Sequence, residues 1–590
     1  MAAESISRPT GAKVIALALQ QLGVKVIFGL VGIPVVQIAE EAIGLGIRFI
    51  AFRNEQACSY AATAYGYLTG RPGVCLVVGG PGVLHAMAGI GNSSINAWPM
   101  LLLAGSCETH LVTKGGFQEL DAISLLTPHV KLATRPCLDS LPQSITNAYR
   151  SAWYGRPGTG FVDLPADVIQ GRPDENVPET RIVAAAPRAG VDPERLADVA
   201  ELLRSAKAPL IVFGKGAAYA QAEHTIRKLI DNTGIPFLPT PMGKGVLPDS
   251  HPLNTSSARS AALKNADVVL VLGARLNWIL HFGDEPKWAA DVKLIQVDIS
   301  AEEIGKNNGD AEHGIVGDIN VVVPQITAAL EGFQYDHASP YMQALQASKA
   351  KNEANAAKTV QIVKSPMGYH QVFDVIKRTL NKLSPPEDGN VVYISEGANT
   401  MDISRSAFPL EHPRLRMDAG THATMGVGLG YAIAAHAAYN NPEAEAQSGP
   451  SASARKKVVC LEGDSAFGFS MPEVETMARY NMDILIFVVN NGGIYHGDSE
   501  EEDQWLKLQE NTQQGQKGGL RSTSLGWEVG YEKMAEMCGG KGYLVRTGEE
   551  LQRATEEGFN SKTPVVVNVI IESGSSKKLE FAWQKSGAKK

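Results

Sequence analysis

Several features that mark whole classes of protein are scarce or missing in this sequence. Its six cysteines are scattered without a C-x-x-C spacing, which argues against a structural zinc site and a disulfide framework. The formal net charge is −8, so the chain lacks the basic excess of a nucleic-acid-binding protein. No apolar run approaches the roughly 18 to 20 residues of a membrane-spanning helix. We therefore expect a globular protein of a reducing compartment, with no nucleic-acid partner and no membrane span.

Short apolar runs and helix-length amphipathic stretches alternate along the chain, and the alternation restarts twice. Apolar strands separated by helices predict parallel sheets covered on both faces, which is an α/β fold of doubly wound sheets. With 590 residues, the chain is too long for a single core. Stretches 171–193 and 331–368 are predicted to be linkers. We predict three domains and a C-terminal tail, over residues 1–185, 190–355, 368–572 and 573–590.

Polar side chains follow two neighbouring strands of the third predicted domain. The run KVVCLEG ends at Gly463-Asp464, and the run DILIFVVNN ends at Asn491, 27 positions after Asp464. A right-handed β-α-β unit places both ends at the same sheet edge. Asp464, Asn491 and the carbonyl of Gly493 would offer the oxygen ligands that Mg²⁺ prefers, and the helix start after Gly463 would favour a phosphate. Either half alone is better explained as a turn, but the pair predicts a metal and diphosphate site.

This pair resembles the G-D-x…N-N signature of thiamine diphosphate enzymes, with Ser465 in place of the usual third glycine. That family has three α/β domains in the order pyrimidine-binding, central and diphosphate-binding. The resemblance implies thiamine diphosphate and Mg²⁺ as cofactors, with Asp464, Asn491 and Gly493 as the metal ligands. It also implies a larger cofactor-binding set, namely Gly463, Asp464, Ser465, Ala466, Asn491, Gly493, Ile494 and Tyr495.

Two further stretches resemble cofactor-binding segments of the family. NEQACSYA contains Glu55, and a lone glutamate at a helix start is usually only a favourable partner of the helix dipole. The resemblance implies instead that Glu55 is catalytic and binds the pyrimidine N1′, which promotes the imino form of the 4′-amino group. DAGTHATMG implies that the Ala423 carbonyl accepts from that amino group and that Met425 lies between the two cofactor rings. The alternative for Met425 is a core residue that fills a gap.

Longer stretches resemble one branch of the family, 2-hydroxyacyl-CoA lyase and oxalyl-CoA decarboxylase. They are GGFQELD (115–121), residues 214–252, GARLNW (273–278), SEGANTMDISR (395–405) and NNGGIYHG (490–497). The decarboxylase normally has Tyr-Glu where this sequence has Phe117-Gln118, and the lyase has Phe-Gln. The resemblance therefore favours a lyase that splits 2-hydroxyacyl-CoA into an aldehyde and formyl-CoA, as in fatty acid α-oxidation. Phe117 and Gln118 would belong to its catalytic site, with Gln118 a candidate for holding the substrate hydroxyl.

Cations are needed for the phosphates of coenzyme A. Arg259 and Arg405 match family positions for this role, although surface arginines are usually only solvated. The resemblance also implies an adenine-nucleotide site in the central domain, for ADP as an example, unless that pocket is vestigial. Its residues would be Arg156 and Lys215 for phosphates, and Arg275 and Asp298 for the nucleoside. The basic tail 573–590 carries Phe581 and Trp583, and it is either a lid over the thioester or a free terminus.

Three alternatives to the lyase stay open at this stage. One is oxalyl-CoA decarboxylase, and another is a carboligase of the acetohydroxyacid synthase type with FAD in the central pocket. The third, a catalytically silent paralogue, is disfavoured because Glu55, Asp464 and Asn491 occur together. Since the cofactor of this family lies between subunits, we expect at least a homodimer, with a tetramer favoured. The end Ala588-Lys589-Lys590 is not the S-K-L peroxisomal signal, so a cytoplasmic and a peroxisomal location both stay open.

Overall fold

Three parallel β-sheets organise the computed structural model, which describes residues 8–173, 181–440 and 455–573. The central strands of each sheet are buried along their whole length, as expected when helices cover both faces. The predicted fold class, three doubly wound α/β domains, is confirmed. None of the helices in these residues is long and apolar enough to cross a membrane. The predicted lid lies outside the described residues apart from Ser573.

The first sheet has the strand order β2-β1-β3-β4-β6-β5, with all neighbours parallel. Its strands are β1 Val26–Leu30, β2 Arg48–Ala51, β3 Gly73–Val77, β4 Met100–Ser106, β5 Leu132–Thr134 and β6 Thr159–Pro165. Its helices are Gly11–Gln21, Val36–Gly44, Glu55–Thr69, Pro81–Asn96, Ala122–Leu126, Leu141–Trp153 and Ala166–Gln170, with 3₁₀ turns at Thr109–Leu111 and Leu138–Ser140.

The central sheet has the order β11-β10-β9-β7-β8 and is also parallel throughout. Its strands are β7 Pro209–Phe213, β8 Phe237–Pro239, β9 Val268–Leu272, β10 Lys293–Asp298 and β11 Ile315–Val316. The helices are Pro193–Ser205, Lys215–Tyr219, Glu223–Thr233, Arg259–Asn265, Ile319–Ala329 and Pro340–Val360, with 3₁₀ turns at Pro241–Gly243, Ser256–Ala258, Trp278–Gly283 and Ala301–Glu303.

The third sheet has the order β13-β12-β14-β15-β17-β16, again parallel. Its strands are β12 Val391–Ser395, β13 Arg416–Asp418, β14 Lys457–Gly463, β15 Leu485–Asn490, β16 Lys541–Val545 and β17 Val565–Ile570. The helices are Tyr369–Leu383, Ala398–Ala407, Gly428–Tyr439, Asp464–Ser470, Glu473–Arg479, Glu502–Gln513, Lys533–Met537 and Gly548–Asn560, with 3₁₀ turns at Pro386–Asp388 and Gly420–His422.

The first and third domains of the chain pack closely through helices of small residues. A Cβ on Gly430 would lie 2.7 Å from the carbonyl oxygen of Ala57, so the helices Glu55–Thr69 and Gly428–Tyr439 touch at the backbone. The backbone N–H of Ala51 donates to the Tyr480 hydroxyl at 2.9 Å. These contacts fix the position of Glu55, which begins the first of these helices.

The predicted linker 331–368 is helical over much of its length. Residues Pro340–Val360 form a helix that Ser339 caps by accepting from the N–H of Met342. Tyr341 and Leu345 at its start are buried, whereas most of the later residues are exposed. Its Ala- and Lys-rich composition has high helix propensity, and that propensity was a better guide than the missing strand pattern.

Candidate active site

Asp464 and Asn491 lie at one edge of the third sheet, as the β-α-β reasoning predicts. Strands β14 and β15 are parallel neighbours, with Gly463 opposite Val489. Asp464 Oδ2 accepts from the backbone N–H groups of Asn491, Gly492 and Gly493 at 3.2, 2.9 and 3.2 Å. Burial raises the pKa of Asp464 to about 6, although these N–H groups favour its charged form. The two predicted ligands therefore belong to one connected loop system.

The loop after β15 orients Asn491 through its amide group. Asn491 Nδ2 donates to the carbonyl oxygen of Tyr495 at 2.9 Å, while Asn491 Oδ1 accepts from the N–H of Gly493 at 3.1 Å. Asn399 Nδ2 donates to the same Tyr495 carbonyl at 2.8 Å, which ties this loop to the neighbouring helix. Ile494 between them is partly exposed. The amide oxygen of Asn491 is thus held on the same side as the Asp464 carboxylate.

The donor set at this edge fits a Mg²⁺ ion that shares its ligands with a diphosphate. One carboxylate, one amide oxygen and a backbone carbonyl are hard oxygen donors, and Mg²⁺ usually takes few protein ligands beside phosphate oxygens. No cluster of three or more His, Cys, Asp or Glu occurs in the described part of the chain. Ser465 and Ala466 lie in the first turn of helix Asp464–Ser470, where N–H groups favour an anion.

A second loop presents Ala423 and Met425, and Glu396 holds it in place. Ala423 has a φ of 54° after the turn Gly420–His422, and Met425 is half-buried rather than part of the core. Glu396, which is fully buried, accepts from the N–H of Gly426 through Oε1 and from the N–H of Gly428 through Oε2. Burial raises the pKa of Glu396 to about 7. Sequence reasoning quoted the stretch that contains Glu396 but missed this role.

Glu55 begins helix Glu55–Thr69, just after strand β2. Asn54 caps this helix by accepting from the N–H of Gln56 at 2.7 Å. The Glu55 side chain is buried, with 7% of the residue exposed, and its Oε2 lies 2.9 Å from Nδ1 of His85. His85 comes from helix Pro81–Asn96 and was not singled out by sequence reasoning. The predicted catalytic acid therefore has a specific partner within its own domain.

Phe117 and Gln118 lie in a loop that Glu119 closes. The Glu119 carboxylate accepts from the backbone N–H groups of Thr113, Gly115 and Gly116 at 2.5, 2.9 and 3.0 Å. Phe117 is 66% exposed, and Gln118 adopts a φ of 53°. A Cβ on Gly80 would lie 2.8 Å from the Gln118 carbonyl oxygen, so the loop packs on the start of the helix that carries His85.

The amide oxygen of Gln118 is an unusual feature of this loop. It is buried and has no hydrogen-bond partner among the described residues. A buried acceptor without a partner costs free energy unless a ligand satisfies it. The loop therefore offers one acceptor to a bound molecule.

A cavity of about 200 Å³ lies where the three domains meet. All four residues predicted for the nucleotide line it, namely Arg156, Lys215, Arg275 and Asp298. Arg405, predicted for coenzyme A, lines it as well. Arg405 is bound to Asp418 at 2.9 Å and to Asp402 at 2.7 Å. Arg259 is half-buried and does not line the cavity itself, but its guanidinium donates to the carbonyl oxygen of Ile279, a residue of the cavity wall, at 2.5 Å. The two arginines predicted for coenzyme A are thus not brought together in this cavity.

Lys215 is a partly buried cation of that cavity. Its Nζ donates to Asn96 Oδ1 at 2.6 Å and to Thr421 Oγ1 at 3.0 Å, and both partners are neutral. Burial, and then the charge of Arg275, hold the pKa of Lys215 well below its usual range. Burial likewise raises the pKa of Asp298. The charged form of Lys215 is disfavoured by burial and by Arg275 and favoured by Asp418, so an anionic ligand beside it would stabilise the ammonium.

Family models match all three domains of the chain. The thiamine pyrophosphate enzyme N-terminal TPP binding domain matches residues 9–125, the central domain matches 196–326, and the C-terminal TPP binding domain matches 396–569. The chain therefore belongs to the thiamine pyrophosphate enzyme family.

Within this family, the chain is similar to 2-hydroxyacyl-CoA lyases over nearly its whole length. It is 44% identical to 2-hydroxyacyl-CoA lyase 1 of Homo sapiens over 589 residues, covering 99% of this chain and 98% of the human protein. It is 42% identical to 2-hydroxyacyl-CoA lyase of Arabidopsis thaliana over 573 residues, 95% of each chain. Oxalyl-CoA decarboxylase of Escherichia coli (strain K12) is 36% identical over 578 residues, 96% of each chain. The branch named from the quoted stretches is confirmed.

Proposed function

We propose that this protein is a thiamine diphosphate-dependent lyase that cleaves 2-hydroxyacyl-CoA into an aldehyde and formyl-CoA. The bond that breaks joins the thioester carbonyl carbon to C2. The 2-hydroxyl proton leaves as C2 becomes the aldehyde carbon, and the carbonyl carbon gains a proton to become formyl-CoA. The observation that carries the proposal is the identity of 44% to a 2-hydroxyacyl-CoA lyase over 99% of the chain.

Thiamine diphosphate, when bound, supplies a nucleophilic carbon and an electron sink for this cleavage. Asp464, Asn491 and the Gly493 carbonyl would hold Mg²⁺, and Gly463, Ser465, Ala466, Ile494 and Tyr495 would line the cofactor. Glu55 would bind the pyrimidine N1′, a role that suits a buried carboxyl. The Ala423 carbonyl and Met425 would contact the cofactor from the loop that Glu396 holds.

Gln118 is the group we assign to the substrate hydroxyl. Its buried amide oxygen has no partner among the described residues and can accept the 2-hydroxyl proton in a hydrogen bond. A neutral amide costs less to desolvate beside an alkyl chain than a carboxylate would. The exposed ring of Phe117 offers an apolar contact for that chain.

The anionic part of coenzyme A requires cations. Arg405 lines the cavity between the domains, and Arg259 is the second residue that family positions suggest. The same cavity, with Arg156, Lys215, Arg275 and Asp298, is proposed to bind an adenine nucleotide such as ADP. Four cations line the cavity beside Asp298, Asp318 and Asp418, so it offers partners for phosphates and for ribose hydroxyls, which supports this assignment.

We propose a homo-oligomer in which the cofactor lies between the first domain of one subunit and the third domain of another. Large apolar side chains are exposed in both halves of the site: Ile33, Leu84 and Phe117 in the first domain, and Phe469 in the third. Exposed apolar surface of this kind is typical of contacts between chains.

The test is to incubate the purified protein with thiamine diphosphate, Mg²⁺ and one of two thioesters. A 2-hydroxyacyl-CoA should yield aldehyde and formyl-CoA, and oxalyl-CoA should yield little CO₂. CO₂ as the main product would instead select the decarboxylase, which the similarity to the Escherichia coli enzyme keeps as the second candidate. The matched variant Phe117→Tyr/Gln118→Glu should lose lyase activity, because a buried carboxylate beside the alkyl chain costs more to desolvate than the amide does.

A further inference from the structure

His85 is a residue of the site that the sequence pattern did not single out. It lies in helix Pro81–Asn96, which packs against the helix that begins at Glu55. A Cβ on Gly89 would lie 2.2 Å from Ser59 Oγ, so these two helices touch one turn beyond both His85 and Glu55. That close approach brings Nδ1 of His85 to 2.9 Å from Oε2 of Glu55.

The helix that carries His85 is itself firmly anchored. Asn92 Nδ2, two turns further along, donates to the hydroxyls of Thr63 and Tyr431 at 3.2 and 2.7 Å. These contacts are buried, so the helix cannot rotate without breaking them. The position of His85 relative to Glu55 is therefore set by the fold and not by a mobile side chain alone.

The two carboxyl oxygens of Glu55 have different surroundings. Oε2 meets His85, whereas Oε1 has no hydrogen bond within the described residues and faces the backbone at Gly82, where a Cβ would lie 3.7 Å away. Only one oxygen is thus left for the cofactor. The His85 side chain is 59% exposed, so solvent reaches part of its ring.

We propose that His85 is a positioning residue for Glu55. Its Nδ1–H donates to Oε2, which fixes the rotation of the carboxyl group so that Oε1 faces the aminopyrimidine ring. The proposal rests on the proposed cofactor but not on the proposed thioester. Loss of this hydrogen bond should slow activation of the cofactor by about tenfold or more.

The experiment compares the full-length protein with His85→Leu and His85→Asn. Leucine removes the donor, whereas the asparagine Nδ2 can occupy the place of Nδ1. Exchange of the C2 proton of bound thiamine diphosphate for deuterium is measured by acid quench and proton NMR, with Mg²⁺ and without any acyl-CoA. His129→Leu, at an exposed histidine of the same domain, is the matched control.

We expect exchange to slow at least about tenfold in His85→Leu, while His85→Asn and His129→Leu stay near the original rate. Wild-type exchange in His85→Leu would overturn the proposal. Equal loss in His85→Asn would overturn the donor role. The exchange assay contains no thioester, so it does not depend on the proposed substrate. If the unaltered protein exchanges the C2 proton normally but cleaves neither thioester, the proposed substrate is wrong and the role of His85 is unaffected.

A second measurement needs no cofactor, and it uses Glu55→Gln only for comparison. In protein labelled with ¹⁵N at histidine, the Nδ1 of His85 should carry the proton and show the chemical shift of a protonated ring nitrogen. An unprotonated Nδ1 that does not respond to Glu55→Gln would contradict the proposal.

Discussion

The loop that carries Ala423 and Met425 depends on a single buried carboxylate, and Glu396→Gln tests that dependence. Both oxygens of Glu396 accept a backbone N–H, from Gly426 and from Gly428. A glutamine offers only one oxygen, so one of these N–H groups would face an amide NH₂ instead. A buried N–H without a partner costs about 1 to 3 kcal/mol. If binding requires the loop to be ordered, affinity for thiamine diphosphate should fall about 5- to 150-fold.

The assay is isothermal titration calorimetry, in which thiamine diphosphate is added to the protein at saturating Mg²⁺. Glu549→Gln is the matched control, because Glu549 is exposed in the first turn of helix Gly548–Asn560. We expect this control to bind like the unaltered protein. Wild-type affinity in Glu396→Gln would refute the argument that Glu396 orders the loop.

Three further predictions concern other buried charges. Asp464→Asn should weaken Mg²⁺-dependent binding of thiamine diphosphate by about 100-fold, which the same calorimetry measures; unchanged affinity would remove Asp464 from the metal site. Burial raises the pKa of Glu473 from 4.5 to about 7, so the folded state keeps this proton to higher pH than the unfolded state does. The stability that protonated Glu473 contributes to the folded state is fully present below pH 4.5 and is lost as the pH rises to about 7. Glu473→Gln should remove up to about 3 kcal/mol of this pH dependence in urea unfolding at pH 5 and 8, and parallel curves for both proteins would contradict it. Lys215→Met should raise the unfolding midpoint without ligand but abolish the stabilisation that ADP gives, and equal shifts with ADP would exclude Lys215 from the nucleotide site.

Strands were predictable where their apolar runs are continuous, and they were missed where they are short or charged. Val391–Ser395 and Leu485–Asn490 read directly as buried strands. Arg416–Asp418 did not, because two of its three residues are charged. Inside the fold, Asp418 accepts from Arg405 at 2.9 Å, which makes its burial tolerable. Such pairing depends on a partner in another element, and one sequence does not show it.

The candidate site also contains contacts that the sequence predicts and contacts that it does not. Asp464 and Asn491 could be predicted to meet because a single β-α-β unit joins them, and such units have a fixed hand. The contact between His85 and Glu55 arises from the packing of two helices. No sequence pattern around either residue predicts the other as its partner. The same holds for Glu396 and the backbone of Gly426 and Gly428, which only the closed third domain brings together.

Glu119 holds the loop that carries Phe117 and Gln118, and this matters for how the reaction can change among related proteins. Its carboxylate accepts from the main-chain N–H groups of Thr113, Gly115 and Gly116, and the side chains of Phe117 and Gln118 take no part in these hydrogen bonds. Positions 117 and 118 can then be exchanged by mutation while the backbone beneath them stays as it is. We therefore expect substitutions at Phe117 and Gln118 to change which group leaves the substrate while the loop keeps its fold.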